Sequence, residues 1–313
     1  RVDAAALRAM MRVDARASLG AIALDWGVIA CAALLSEAAA HPLAYLLAVI
    51  TIGARQHGLG VMMHEGAHLG LHKRRALNDF IGELLAAWPL FVSMRGYRAH
   101  HNEHHRNLNT RDDPDFCYRT REDGSPRPEF RFPMPRRRFA RMLVSDLLGL
   151  GLVRMLGTLR RIGESRGGKD ASSSTRAPSD RALDAARPVF YLALVVALTL
   201  TGGWRSFALY WLVPLFTWLA MVTRLRGVAE HWGLNGGVGT RTTISSWLGR
   251  FLLAPHNIGY HADHHLFPAV RFHALPELHR VLAARGVFTS DFRETRGYTG
   301  VFRECTTPSP APE

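Results

Sequence analysis

Residues 42–68 read PLAYLLAVITIGARQHGLGVMMHEGAH, an apolar stretch that ends in two histidines four residues apart. Its apolar part, residues 42–61, has the length that a helix needs to cross a bilayer, about 20 residues. Positions i and i+4 share one face of a helix, so His64 and His68 point the same way from its end. The stretch therefore predicts a membrane helix with a polar site at one end.

Three further stretches are apolar enough to cross a bilayer, namely residues 19–35, 188–201 and 207–222. Only short turns join the first stretch to the second and the third to the fourth. We therefore predict an all-α integral membrane fold, with four transmembrane helices arranged as two hairpins and a cytosolic helical cap. The alternative is a soluble helical core, because Asp25 interrupts the first stretch and the third is short.

The formal net charge is +13, and nearly all the cations are arginines. Such an excess fits nucleic acid, an anionic membrane surface or an acidic protein partner. No nucleic-acid-binding motif accompanies the charge, which argues against nucleic acid. Arg205 lies in a short turn, whereas the opposite flanks of the apolar stretches are rich in arginine. Since positive residues gather on the cytoplasmic side of inner membranes, we expect a bacterial inner-membrane protein with both termini cytoplasmic.

The whole chain is expected to form one membrane domain, residues 1–313. We predict that its sections are a helical hairpin (19–61), a cytosolic or interfacial section (62–162), a flexible linker (163–185), a second hairpin (188–222), a second cytosolic section (223–300) and a disordered tail (306–313).

Eight of the 16 histidines fall into three short clusters, which we call the histidine boxes. The first box is His64 and His68. The second and third boxes each have an i, i+3, i+4 spacing, which also places the histidines on one helical face. Their members are His101, His104 and His105, and His261, His264 and His265. Eight imidazoles in one region would repel one another if protonated, so the boxes predict neutral rings that face a cation.

Nitrogen ligands favour iron, copper, zinc or nickel over calcium and magnesium. Eight donors exceed the needs of one ion, since zinc takes about four, and this number predicts two metals. Activation of dioxygen requires a change of oxidation state that zinc cannot make, which favours a non-haem di-iron site with O2 as co-substrate. Residues 64–68 also fit the zinc-protease pattern HExxH, with Glu65 as general base, but a protease would not need the other two boxes.

The chain resembles the membrane fatty acid desaturase and hydroxylase superfamily over residues 45–275. The resemblance rests on the order and spacing of four motifs: HEGAH at 64–68, YRAHHNEHH at 97–105, RGVAEHW at 226–232 and PHNIGYHADHHLFP at 255–268. It implies a ninth metal ligand, His231, and no catalytic residue beyond the metal ligands. It also suggests Asn257 as the residue that holds a metal-bound water. Four acidic side chains are candidates to orient the ligands: Glu65, Glu103, Glu230 and Asp263.

The resemblance implies an O2-dependent oxidase that introduces a double bond into an aliphatic, fatty acyl chain. Electrons would come from an external donor of the ferredoxin, rubredoxin or cytochrome b5 type, docked on the basic cytosolic face. Three alternatives stay open: a hydroxylase or ketolase acting on a carotenoid or another lipid, a desaturase of a small or carrier-bound metabolite, and an intramembrane zinc protease. The boxes do not separate desaturation from hydroxylation, because both begin with removal of hydrogen from a C–H bond.

Overall fold

The computed structural model describes residues 3–115, 119–121, 123–152, 178–232, 239–288 and 292–307. In chain order its helices are α1 (Ala4–Met10), α2 (Ala15–Ala39), α3 (Pro42–Ala67), α4 (Arg75–Gly82), α5 (Met94–Arg106), α6 (Arg136–Leu147), α7 (Pro178–Thr201), α8 (Trp204–His231), α9 (Trp247–Leu252), α10 (His261–Leu266), α11 (Leu275–Ala283) and α12 (Gly297–Thr306). Wide π-turns interrupt α8, and single helical turns follow α4 and precede α10.

Helices α2, α3, α7 and α8 are long and apolar enough to cross a membrane. They coincide with the four predicted spans, so the prediction of an all-α membrane protein is confirmed. Helix α3 is the central one. In its most apolar 18-residue stretch 67% of the residues are buried by neighbouring elements, whereas the corresponding fractions for α2, α7 and α8 are 22%, 6% and 28%. The exposed apolar faces of those three helices are what a lipid environment requires. The division into two hairpins stays a prediction.

Local chemistry explains where α2 and α3 begin and end. The Asp14 carboxylate accepts hydrogen bonds from the backbone N–H groups of Arg16 and Ala17, at 2.9 and 3.2 Å, and so caps α2. Ala40 ends that helix in a left-handed conformation, with φ 46°. Pro42 then occupies the first turn of α3, where its missing N–H costs nothing.

The predicted spans are too short at several ends. Helix α3 continues to Ala67 and α8 to His231, so His64 and His231 belong to the transmembrane helices themselves. Helix α7 begins at Pro178, and Pro188 lies inside it. The last residues of the predicted linker are therefore helical, and the rest of that linker lies outside the described residues. Arg95 holds the helical extension through Asp180 and Asp184, with N–O distances of 3.6 and 2.5 Å.

A short parallel strand pair was not predicted. Strand β1 (Thr240–Ile244) pairs with β2 (Phe292–Arg296), in a register that matches Thr240 to Phe292. The pair fastens the chain just before the third box to the chain that leads into α12. Arg241, fully buried in β1, donates to the Glu304 carboxylate of α12 at 3.0 Å. The predicted disordered tail begins too early, because α12 extends to Thr306; residues 308–313 lie outside the described part.

Gly53 allows α3 to pack closely against α8. A Cβ atom at this position would lie 2.6 Å from Cβ of Trp218, which is closer than real Cβ contacts. We expect Gly53→Ala to lower the free energy of unfolding by about 1–3 kcal/mol, because overpacking forces the two helices apart. Thermal unfolding in detergent measures this. Gly20→Ala is the matched control, since nothing lies within 4 Å of its Cβ position; equal effects would contradict the prediction.

Candidate metal centre

Four elements bring the nine predicted histidine ligands to one place. His64 lies in the last turn of α3, and His68 follows directly as its C-terminal cap. The second box lies within α5 and the third within α10. His231 ends α8. The second and third boxes therefore lie on helices, as their spacing predicts. The spacing did not predict that four chain segments meet at the end of α3.

The histidines divide into two groups. In the first group, the candidate ligand atoms of five residues lie within 4.8 Å of one another; the residues are His64, His68, His101, His105 and His264. All three boxes contribute to it. Nε2 of His105 is 3.0 Å from Nε2 of His101 and also 3.0 Å from Nε2 of His264. Three ring nitrogens thus face a common point.

The second group surrounds His231. His104, His231 and His265 form one close set, and Glu230, His231 and His261 form another that shares His231. Nε2 of His261 lies 2.7 Å from Nε2 of His231 and 3.0 Å from Nε2 of His265. Rings of the two groups stack where they meet, with the His105 and His265 centroids 4.1 Å apart. The two groups are therefore immediate neighbours.

The surroundings of His68, His105 and His264 favour the neutral, metal-binding form of these rings. Burial, together with the positive charges of Arg271 and Arg98, lowers the pKa of His68 to about 4. Burial, with the neighbouring His68 and His104, lowers the pKa of His105 to about 3. Burial likewise holds the pKa of His264 well below its ordinary value. Neutral imidazoles present lone pairs, and the lone pair is the metal-binding form.

The spacing of the ring nitrogens also fits a metal. Metal–imidazole bonds are about 2.0–2.1 Å long, so two such ligands at a right angle have nitrogens about 3 Å apart. The nitrogen separations in both groups are close to this value. Nε2 of His64 and Nε2 of His68 are buried and have no hydrogen-bond partner among the described residues. Buried unpaired nitrogens are costly unless a cation uses them, so the residues present fit two transition-metal ions.

Two carboxylates follow the second box; one contacts His104 of the box, and the other contacts the neighbouring His100. Oδ1 of Asp113 lies 2.9 Å from Nδ1 of His104, and Oδ1 of Asp115 lies 2.7 Å from Nε2 of His100. Asp113 is itself held by Arg119, which donates to Oδ2 at 2.8 Å. Such a carboxylate fixes the tautomer and direction of a ligating imidazole. Asp113 and Asp115 were not among the predicted orienting residues, although the acidic turn so soon after the box was a usable signal.

The predicted orienting residues have different surroundings. Glu230 lies between Arg226 Nε, at 2.5 Å, and Nδ1 of His261, at 3.7 Å. Asp263 is fully buried, and its carboxylate contacts Thr242 and His279, which holds α10 against β1 and α11.

The polar contacts of the other three candidates are with groups other than the histidine rings. Glu65 lies 3.7 Å from Arg271 Nη1, and Glu103 pairs with Arg106 and Asn107 on the surface. The Asn257 amide donates to the Phe272 carbonyl at 3.0 Å, so its described contact is structural.

Asp113→Asn should weaken metal retention, because the neutral amide no longer favours the Nδ1–H tautomer of His104. We expect a loss of about 10–100-fold in metal affinity, the usual cost of removing an orienting partner. Competition with a chelator, followed by metal analysis of the protein, measures it. Asp112→Asn removes the same charge from the exposed neighbouring position and should leave retention unchanged. Equal retention in both variants would exclude the orienting role.

Comparison with known proteins agrees with this arrangement. The family described as fatty acid desaturase matches residues 40–289. The chain is 28% identical to the dihydrorhizobitoxine desaturase of Bradyrhizobium elkanii, over 83% of this chain and 73% of that protein. It is 26% identical to the sn-1 acyl-lipid omega-3 desaturase (ferredoxin) of Nostoc sp. (strain 36), over 67% of this chain but only 59% of that protein. The chloroplastic omega-3 fatty acid desaturase of Glycine max is also 26% identical, over 87% of this chain and 60% of that protein.

The family match covers most of the chain, includes all three boxes and His231, and agrees with the names of the relatives. The four apolar helices agree with a membrane protein. The chain therefore belongs to the fatty acid desaturase family and is a membrane oxidoreductase.

Proposed function

We propose that the protein is an O2-dependent di-iron desaturase that introduces a double bond into an aliphatic, fatty acyl chain. The observation that carries this proposal is the pair of adjacent histidine groups, one with five histidines and one with four. Two groups of neutral nitrogen ligands suit two redox-active metals. When bound, two irons would supply the capacity to activate dioxygen and remove hydrogen from an unactivated C–H bond.

The chain's own residues have three tasks in this reaction. The first group would hold one iron through the five histidines named above, and the second would hold the other through His104, His231, His261 and His265. Asp113 would direct the His104 imidazole toward its metal through a hydrogen bond, and the Glu230 carboxylate, 3.7 Å from Nδ1 of His261, would attract that ring through its charge. Five of these histidines, His64, His101, His104, His261 and His264, are buried, which would limit the access of water to the site and so limit side reactions.

A second candidate substrate class is a small or carrier-bound metabolite. It is favoured by the similarity to a desaturase named for dihydrorhizobitoxine, which is 28% identical to this chain, whereas the omega-3 desaturases are 26% identical. Hydroxylation or ketolation of a carotenoid or another lipid is a further alternative, since the same hydrogen removal can end in oxygen insertion. A zinc protease is disfavoured by the position of Glu65, whose carboxylate lies beside Arg271.

Metal and product analysis test the proposal together. We expect about two irons per chain, and loss of iron in His264→Ala, because this ring belongs to the five-histidine group. His273→Ala is the matched control, since His273 is exposed and lies outside both groups. With O2, a reductase–ferredoxin system and candidate substrates, mass spectrometry should find a product that lacks two hydrogens. Addition of one oxygen would indicate a hydroxylase, and one zinc retained in His264→Ala would overturn the oxidase.

We further propose that the histidine boxes and both termini face the cytoplasm of a bacterial inner membrane, and that an acidic ferredoxin docks on the basic face there. The exposed cations Lys73, Arg74, Arg106 and Arg111 flank the first two boxes and support this. The name of the Nostoc relative, which specifies ferredoxin, supports it as well.

Docking through charge predicts that turnover with an acidic ferredoxin falls steeply as salt is raised, because salt screens attraction between exposed charges. Arg106→Glu should raise the KM for ferredoxin at low salt. Arg205→Glu is the control, since this exposed arginine lies in the first turn of α8, at the opposite end of that helix from His231. Turnover that is independent of salt, or equal effects of the two variants, would contradict the docking surface.

A further inference from the structure

Three polar side chains meet inside the membrane-spanning part of the fold, outside the two histidine groups. Asp25 on α2 is fully buried. Its Oδ1 lies 3.2 Å from Nη1 of Arg55 on α3, and its Oδ2 lies 2.7 Å from Nε2 of His256. Ionisable side chains in membrane spans are costly and rare, and those that persist are paired and serve a purpose. The metal centre described above does not account for this cluster.

His256 lies in a strained turn that leads directly into the third box. His256 and the next residue, Asn257, have φ angles of 51° and 60°, in the left-handed region that residues other than glycine rarely adopt. The turn reverses the chain between α9 and α10, and His261 begins only four residues after Asn257. Strain of this kind persists only where surrounding contacts hold it. The Asp25 carboxylate holds the His256 ring by a hydrogen bond, the Phe272 ring packs edge-on against it, and the Phe272 carbonyl holds Asn257.

The packing around Asp25 is shaped to admit its carboxylate. A Cβ atom on Gly58 would lie 2.4 Å from Oδ2 and 2.6 Å from Oδ1 of Asp25, so a larger residue would push the carboxylate away. Arg55 also donates to the carbonyl of Phe251, and its guanidinium lies 4.3 Å from the centre of the Phe251 ring. The cluster therefore ties α2 and α3 to the last turn of α9, through Phe251, and to the middle of the segment that connects α9 with α10, through His256.

From this geometry we infer that Asp25 is a positioning residue for the third histidine box: with Arg55, it holds His256 in the left-handed turn that aims α10 at the metal centre. The third box contributes to both histidine groups, so a small rotation of α10 would disturb both. This inference rests on the metal site proposed above. The described partners of Asp25 are Arg55 and His256, and neither of them is a proposed metal ligand.

Metal retention separates positioning from general stability. We expect Asp25→Asn and Gly58→Ala to lose iron to a chelator about tenfold faster than the wild-type protein, the lower end of what loss of an orienting partner costs. Two matched controls lie on α2. Glu37→Gln removes a carboxylate that is partly exposed, and Gly27→Ala adds a methyl group where nothing lies within 4 Å. Both controls should retain iron as the wild-type protein does.

Substitution of His256 provides the sharper test, because glycine adopts the left-handed conformation without strain. His256→Ala should lose iron rapidly, since alanine has neither the hydrogen bond nor the freedom of glycine. His256→Gly should recover much of the retention. In the His256→Gly background, Asp25→Asn should have a much smaller effect than in the wild-type protein, because the turn no longer depends on the carboxylate.

The outcomes are distinguishable. Normal iron retention in Asp25→Asn, or an equal effect of Asp25→Asn with histidine and with glycine at position 256, overturns the positioning role. A lower melting temperature of the metal-free protein with unchanged iron retention per folded chain also overturns it, because the cluster would then be structural only. If the wild-type protein binds no iron, the proposed function fails and this inference fails with it; two irons in the wild type and in Asp25→Asn alike would refute this inference alone.

Discussion

Nine imidazoles packed into two adjoining groups are compatible with one another only when they are neutral and share cations. Burial keeps the pKa values of rings such as His68, His105 and His264 low, and this leaves their lone pairs available. The candidate ligand atoms of the five-histidine group lie within 4.8 Å of one another, and the second group consists of two sets, each within 4.8 Å, that share His231. Because an imidazole reaches only a short distance from its backbone, α3, α5, α8 and α10 must be neighbours at this site. Most other features of the fold can be understood as means to hold those four ends together.

Charged groups outside the rings supply much of that support. Asp113 and Arg119 fix the second box from the chain that follows α5. Asp263 joins α10 to β1 through Thr242. Arg271 donates to the carbonyl of His68, the C-terminal cap of α3. Each link is a charge-assisted hydrogen bond, and those of Asp113 and Asp263 are buried, where water does not compete for the partners.

The membrane-spanning helices contribute unequally to this scaffold. Helix α3 is enclosed by its neighbours and carries both the first box and Arg55, so it connects the metal centre with the polar cluster inside the membrane. Helix α7 presents most of its apolar surface outward. Lipid can solvate such a surface without any matching protein partner, whereas the buried polar groups of α3 need specific partners at fixed positions.

The sequence by itself determined the four apolar spans, the helical spacing of the boxes and the inference of a metal centre, because these depend on local periodicity and residue type. His231 followed only from family resemblance. Only the tertiary structure divided the histidines into groups of five and four, identified Asp113 in place of Glu103 as a partner of the second box, and paired Asp25 with His256. Asp25 and His256 are 231 positions apart, and local sequence does not encode which distant partner a side chain will meet.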